Sequence, residues 1–175
     1  MGRPRKIVSK LRNLVPSENG GALAELAIMV PFIVIMLAGV SEFGRFFQTY
    51  TTLSKATRSA ARYLSGHNVT DSTEVTRATN LVVCGKLVCS GGDEVVTGIS
   101  ASNVCIESTG TPVTNVTVRI PRTNGDCNPM ANAPANPVPY NYQPIFNIGA
   151  LIGSNTFTLI LPISPSTTMY DIVNN

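Results

Sequence analysis

The stretch "SENGGALAELAIMVPFIVIMLAGVSEFGRFF", residues 17–47, decides how this chain is organised. Within it, residues 20–41 form an apolar run in which Glu25 is the only charged side chain. A helix of that length extends ~33 Å and can cross a hydrocarbon core about 30 Å thick. A charged side chain at the centre of such a span costs roughly 2.5–3.5 kcal/mol. The presence of Glu25 therefore needs a physical reason.

The net charge of +3 is concentrated at the N-terminus. Residues 1–20 carry five Lys or Arg and one Glu, a net of +4, whereas the remainder carries eight basic and nine acidic residues, a net of −1. A near-neutral body does not suit nucleic-acid binding. Basic residues ahead of an apolar span favour a cytoplasmic N-terminus and an exported body. The competing interpretation is a cleaved secretory signal peptide with residues 26–40 as its apolar core.

The helical pattern continues beyond the apolar run. Apolar side chains recur every three or four positions over residues 43–64, which predicts an amphipathic stripe continuous with the span. We predict one helix over residues 21–65. A kink is expected at Pro31, because its ring removes one N–H and crowds the preceding turn. The alternative is two helices with a break near residues 39–44.

The rest of the chain predicts a short helix and a hairpin. Residues 71–85 read as a helix that begins at an N-cap of Asp71 or Ser72. Residues 102–108 and 111–121 have the composition of strands, and the turn-forming sequence "STGTP" between them predicts that they pair as a hairpin.

A third strand and a long loop complete the predicted body. Residues 155–164 predict a strand, and their run of consecutive apolar residues is typical of a central position. The Pro-rich stretch 128–144 predicts a loop. The fold class is therefore α+β, with a small antiparallel sheet. We expect a basic cytoplasmic leader (residues 1–20), a transmembrane and amphipathic stalk helix (21–65) and an extracytoplasmic α+β domain (66–175).

Four cysteines lie in the predicted exported body. An even number of cysteines in an oxidising compartment favours two disulfides, and four cysteines allow three pairings. We favour Cys84–Cys89, which would close a turn after the second helix, and Cys105–Cys127, which would tie the Pro-rich loop to the hairpin. The alternative is four buried thiols. No C-x-x-C motif occurs and His67 is the only histidine, so we expect no metal site.

Catalytic motifs are not recognisable in the sequence. A single histidine, with no HExxH motif and no phosphate-binding glycine-rich loop, leaves no set of residues suited to catalysis. We therefore expect no catalytic residues and no cofactor, and we expect that the protein is not an enzyme.

A cut after Gly20 would give the intramembrane carboxylate a role. The mature chain would begin at Gly21 and carry Glu25 as its fifth residue, an arrangement that resembles type IV pilins and pseudopilins. The new α-ammonium of one subunit could then meet Glu25 of the next. Opposite charges about 4 Å apart attract by ~4 kcal/mol at an effective dielectric near 20, which would offset the burial cost and fix the register between helices. The alternative is that Glu25 only lies near the lipid headgroups.

Three segments make this resemblance specific to one family. "GGALAELAIMVPF" (residues 20–32), "EFGRFF" (42–47) and "SAARYLS" (59–65) resemble the TadE-like family of minor pseudopilins. The sequence departs from the family at Leu26, where an aromatic residue usually follows the glutamate. The family signature that this chain carries consists of Glu42, Phe43, Gly44 and Arg45.

The resemblance implies a pilin-like fold and a role in a Tad secretion system, which builds Flp pili for surface adherence and biofilm formation. The implied partners are a prepilin peptidase, other pseudopilins and the Flp pilin, the inner-membrane Tad assembly platform and the lipid bilayer. The implied location is the bacterial inner membrane, crossed once, with the C-terminal domain outside the cytoplasm and associated with the pilus. The alternative function is a membrane-anchored or secreted binding module unrelated to pili; a mature N-terminus near Glu42 would favour it.

Overall fold

The computed structural model describes residues 17–146 and 161–170, and residues 155–160 of the predicted third strand lie outside this range. Contacts divide the chain into two units, Met1–Ser41 and Glu42–Asn175. The described elements are the helices α1 (Ser17–Leu64) and α2 (Ser72–Cys84), a 3-10 turn (Ala101–Asn103), and the strands β1 (Cys105–Thr109), β2 (Asn115–Arg119), β3 (Tyr140–Tyr142), β4 (Leu161–Ile163) and β5 (Ser166–Tyr170). The predicted α+β class is therefore confirmed.

The first unit contains the apolar part of α1. From Gly20 onward this helix is long and apolar enough to cross a membrane, and none of its most apolar window is buried by the rest of the chain. The helical conformation extends through residues 39–44, so the two-helix alternative is wrong. Pro31 lies inside the helix. The kink expected there stays a prediction.

The second part of α1 supplies one wall of the core of the second unit. Its buried side chains recur every three or four residues, as an amphipathic helix requires. They are Leu53, Ala56, Thr57, Ala60, Ala61 and Leu64. At the N-terminal end of the predicted stripe, Phe46 packs against the core, whereas Phe43 and Phe47 are exposed.

Helix α2 begins and ends with specific caps. Of the two predicted N-caps, Asp71 has this role, because its carboxylate accepts a hydrogen bond from the Thr73 N–H at 2.8 Å. Gly85 adopts a left-handed conformation (φ 68°) and donates its N–H to the Leu81 carbonyl at 3.1 Å, which ends the helix. The apolar residues Val75, Ala78 and Val82 face the core.

Three strands form the main sheet in the order β1-β2-β5. Strands β1 and β2 pair as the predicted antiparallel hairpin, with Cys105 opposite Arg119, and β2 also pairs antiparallel with β5. The central strand is therefore β2. Its Val116 and Val118 are fully buried, while the alternate residues Asn115, Thr117 and Arg119 are partly exposed, as period-two alternation requires.

Two predictions for the C-terminal part were wrong. The predicted central strand contributes β4, which pairs with β3 in a separate two-stranded sheet. Pro162 lies within β4, and a residue without an N–H cannot serve a strand that is paired on both sides. The predicted loop 128–144 contains β3, since Tyr140 and Tyr142 lie between prolines and bury their rings on one face.

The body carries two disulfides, and they follow the pairing that the sequence favours. Cys84 is bonded to Cys89 and Cys105 to Cys127, with Cα–Cα distances of 5.9 and 6.1 Å. No free cysteine occurs in the described part of the chain. The second bond connects β1 to the start of the Pro-rich stretch.

A charged cluster supports the same connection. Arg119 on β2 lies 2.8 Å from Glu107 on β1 and 3.3 Å from Asp126, and the Asn128 N–H donates to Glu107 at 2.9 Å. Burial raises the pKa of Glu107, but the hydrogen bonds from Arg119 and Asn128 outweigh burial and hold the pKa below its ordinary value. The Pro-rich stretch is thus bound to the sheet by both covalent and ionic contacts.

We expect the two disulfides to stabilise the body unequally. The loops they close have sequence separations of 22 and 5 residues. Loop-closure entropy then gives about 3 kcal/mol for Cys105–Cys127 and about 2 kcal/mol for Cys84–Cys89. Urea unfolding of the paired Cys→Ala variants should show a larger loss for the first pair. Alkylation of all four cysteines in the unreduced protein would contradict the disulfides themselves.

Candidate functional site

The predicted processing site lies on an unobstructed part of α1. Gly20 and Gly21 are helical, and a side chain added at either position would meet no atom of the described chain within 4 Å. The site therefore does not depend on glycine for packing.

Glu25 lies one turn beyond this site and is exposed. Its neighbours Leu23, Leu26 and Ile28 are exposed apolar residues. The described part of the chain therefore does not shield the carboxylate. In an apolar environment its charge must be compensated from outside, by water, by a lipid headgroup or by another chain.

The signature residue Glu42 has a different environment. Its side chain is only 13% exposed. One carboxylate oxygen, Oε1, accepts hydrogen bonds from the Tyr142 hydroxyl and from the Ile145 N–H at 3.3 Å. The other, Oε2, lies 3.9 Å from Nη1 of Arg45 and has no hydrogen bond. Glu42 thus binds the stalk helix to a segment one hundred residues later in the chain.

Tyr142 is held from two directions. Phe46, one turn after Glu42, contacts the tyrosine ring edge-to-face with ring centroids 5.5 Å apart. Burial, together with the hydrogen bond to Glu42, raises the pKa of Tyr142 to about 12. The hydroxyl therefore remains protonated at neutral pH and can donate to the carboxylate. We call Glu42, Phe46 and Tyr142 the stalk clamp.

The remaining signature residues lie on the surface. Phe43 is exposed, and a side chain at Gly44 would meet nothing within 4 Å. Arg45 is nearly half exposed beside Glu42. Of the signature residues, only Glu42 is mostly buried, and Arg45 contacts the body through its ion pair with Glu42.

A cleft of about 730 Å³ opens beside the stalk clamp. Its walls are the α1 residues Arg45, Gln48, Thr49 and Thr52, the segment 94–98, and the segment 140–145. The Tyr140 hydroxyl donates to the Thr97 carbonyl at 3.1 Å and joins two of these walls. The lining contains no histidine and no cysteine. This cleft has the groups for polar binding but no nucleophile paired with a base.

One group of potential metal ligands is present in the described residues. Cys105, Cys127 and Glu107 bring their ligand atoms within 4.8 Å of one another. The two sulfurs are joined in a disulfide, and Glu107 is paired with Arg119. Thiolate ligands are therefore not available, and the group does not form a metal site.

One segment of the chain matches a known protein family. It runs from the glycines of the predicted cut to the buried half of α1. Residues 20–62 match the model of the TadE-like protein family. This TadE-like segment contains Glu25 and the Glu42 signature and covers about a quarter of the chain. The family suggests a protein related to Tad pili and implies a membrane-anchored helix. No curated protein and no solved structure matches the chain significantly.

Tyr142, the partner of the TadE-like signature, was missed in the sequence. The available signal was the alternation Tyr-Asn-Tyr between two prolines, which is typical of a short strand with one buried face. It gave no indication of which distant residue the hydroxyl contacts, because that contact depends on the tertiary fold.

The substitution Tyr142→Phe should weaken the stalk clamp. It removes the donor to a largely buried carboxylate, a loss of about 1.5–3 kcal/mol in the free energy of unfolding. The matched control is Tyr140→Phe, which removes a hydroxyl that donates to a neutral carbonyl and should cost only about 0.5–1.5 kcal/mol. Urea unfolding measures both variants. Equal losses would show that the hydrogen bond to the Glu42 carboxylate stabilises the fold no more than the hydrogen bond to the neutral Thr97 carbonyl.

Proposed function

We propose that this chain is a minor pseudopilin of a Tad-type secretion system, an accessory or initiating subunit in the assembly of Flp pili for surface adherence and biofilm formation. The match of residues 20–62 to the TadE-like family supports this proposal most strongly. The matched segment includes both Glu25, in the apolar run, and Glu42, in the signature. The role is structural and not enzymatic.

Maturation supplies the assembly contact. A membrane prepilin peptidase cuts after Gly20, and the new α-ammonium of Gly21 becomes available to a neighbouring subunit. The exposure of Glu25 supports this step, because the described chain leaves the carboxylate without shielding. Pairing with the ammonium of another pseudopilin, or of the Flp pilin, offsets the cost of a charge in lipid.

The proposed orientation places the leader in the cytoplasm and the body outside it. The leader charge of +4 supports this direction. The two disulfides support it independently, since disulfides persist in oxidising compartments. The inner-membrane Tad assembly platform is the partner at the cytoplasmic membrane, and the body is displayed towards the pilus.

A second candidate function is a membrane-anchored or secreted binding module unrelated to pili. The polar cleft of about 730 Å³ beside the stalk clamp favours it. The two functions differ in the mature N-terminus, which would lie near Glu42 for a module with a removed signal peptide and at Gly21 for a pseudopilin.

We expect cleavage between Gly20 and Gly21 when a cognate prepilin peptidase is present. Intact-mass measurement of the membrane-extracted protein should show loss of residues 1–20. The variant Gly20→Leu should block the cut, whereas Gly21→Ala should be processed. Both positions have room for a side chain, so a block at Gly20 would report recognition and not misfolding. Retention of residues 1–20 beside active peptidase would refute the proposed maturation.

Replacement of Glu25 by Gln should impair assembly while insertion persists. The variant keeps the size of the side chain but loses the charge, and with it ~4 kcal/mol of attraction between subunits at an effective dielectric near 20. Insertion becomes less costly without the charge, and cleavage should fall only modestly.

The measurement is pilus yield and crosslinking to partner pseudopilins. Glu18→Gln is the matched control, because it removes a carboxylate from the leader that is cut away. Normal piliation with Glu25→Gln would mean that the glutamate is only an interfacial residue.

A further inference from the structure

Two neighbouring apolar residues of the body are exposed beside the stalk clamp. Ile145 is 67% exposed and Phe146 is 48% exposed. A single exposed apolar side chain is ordinary on a protein surface. These two are adjacent, follow Pro144, and belong to a segment fixed by the hydrogen bond between the Ile145 N–H and Glu42. Their position therefore has a defined reference point on α1.

That reference point is the first residue after the apolar run. Glu42 directly follows Ser41, where the run 20–41 ends. Each interfacial layer of a bilayer is about 5–7.5 Å thick, which is half of the difference between a 40–45 Å bilayer and its 30 Å core. The Ile145 amide lies 3.3 Å from the Glu42 carboxylate. A membrane crossed by residues 20–41 would hold Ile145 and Phe146 at the depth of its interface.

The stalk helix exposes aromatic side chains at the same depth. Phe43 is 69% exposed and Phe47 is 58% exposed. They follow Glu42 by one and five residues, which is at most ~7.5 Å along a helix. Phe and Leu side chains commonly enter the boundary between headgroups and acyl chains by about 5–10 Å. Arg45, nearly half exposed at this level, can approach anionic lipid phosphates.

We propose that Ile145 and Phe146, together with Phe43 and Phe47, form a second membrane contact that seats the body on the lipid interface. This proposal rests on the membrane anchor of the proposed function and extends it to the body. The stalk clamp sets the depth of the contact, because Glu42 holds the segment that carries Ile145. The occupant of this apolar surface is phospholipid at the headgroup boundary.

The chain contains no tryptophan, so single tryptophans can report depth without background. The full-length protein is reconstituted in phosphatidylcholine vesicles with and without lipids brominated near the top of the acyl chains. Phe146→Trp reports the proposed contact and Phe32→Trp reports the apolar run. Val88→Trp is the matched exposed control, since Val88 is 75% exposed in the Cys84–Cys89 loop.

The expected result is blue-shifted emission and loss of intensity in brominated vesicles for Phe146→Trp, with neither change for Val88→Trp. If Phe32→Trp is quenched and Phe146→Trp behaves like Val88→Trp, the membrane contact is wrong while the anchor stands. If Phe32→Trp is also unquenched, the apolar run does not lie in the membrane, and both the anchor and the proposed contact are wrong. A blue shift of Phe146→Trp without bromine quenching would show that protein, such as a second copy of the chain, covers the surface instead.

Discussion

The hydrogen bond from Tyr142 to Glu42 is the contact on which the organisation of the body depends. A carboxylate that is mostly buried must be satisfied, and here the donors come from a segment one hundred residues away. This contact holds β3 and the segment after it against the first turn of the helix beyond the apolar run. The same contact positions one wall of the cleft and the exposed pair Ile145–Phe146.

The charges of two glutamates on the same helix are compensated in different ways. Glu42 finds its hydrogen-bond donors inside its own chain, so its contribution is to the fold. Glu25 is exposed on an apolar surface, so whatever compensates its charge must come from outside the described chain. A TadE-like segment that carries both residues combines an internal anchor for the body with a charge to which the proposed function gives a role in assembly. The separation of 17 positions along α1 keeps these two roles apart.

Local chemistry explains which parts of the fold were predictable from the sequence. The Asp71 cap, the turn between β1 and β2 and the periodicity of the buried half of α1 are each determined by neighbouring residues. The partner of β4 is not, because an apolar run identifies a strand but not its place in a sheet. The predicted amphipathic stripe likewise included Phe43, Phe46 and Phe47, of which only Phe46 packs against the core. Periodicity identifies an apolar face, but it does not distinguish a protein core from lipid or solvent.

A double-mutant cycle tests most directly whether Glu42 and Tyr142 act as one interaction. Urea unfolding is measured for the unmodified chain, Glu42→Ala, Tyr142→Phe and the double variant. For a direct contact in one network, we expect the effects to be non-additive by about 0.5–3 kcal/mol, with little further loss from the second substitution. Additivity within about 0.3–0.5 kcal/mol, as for independent sites, would contradict the account.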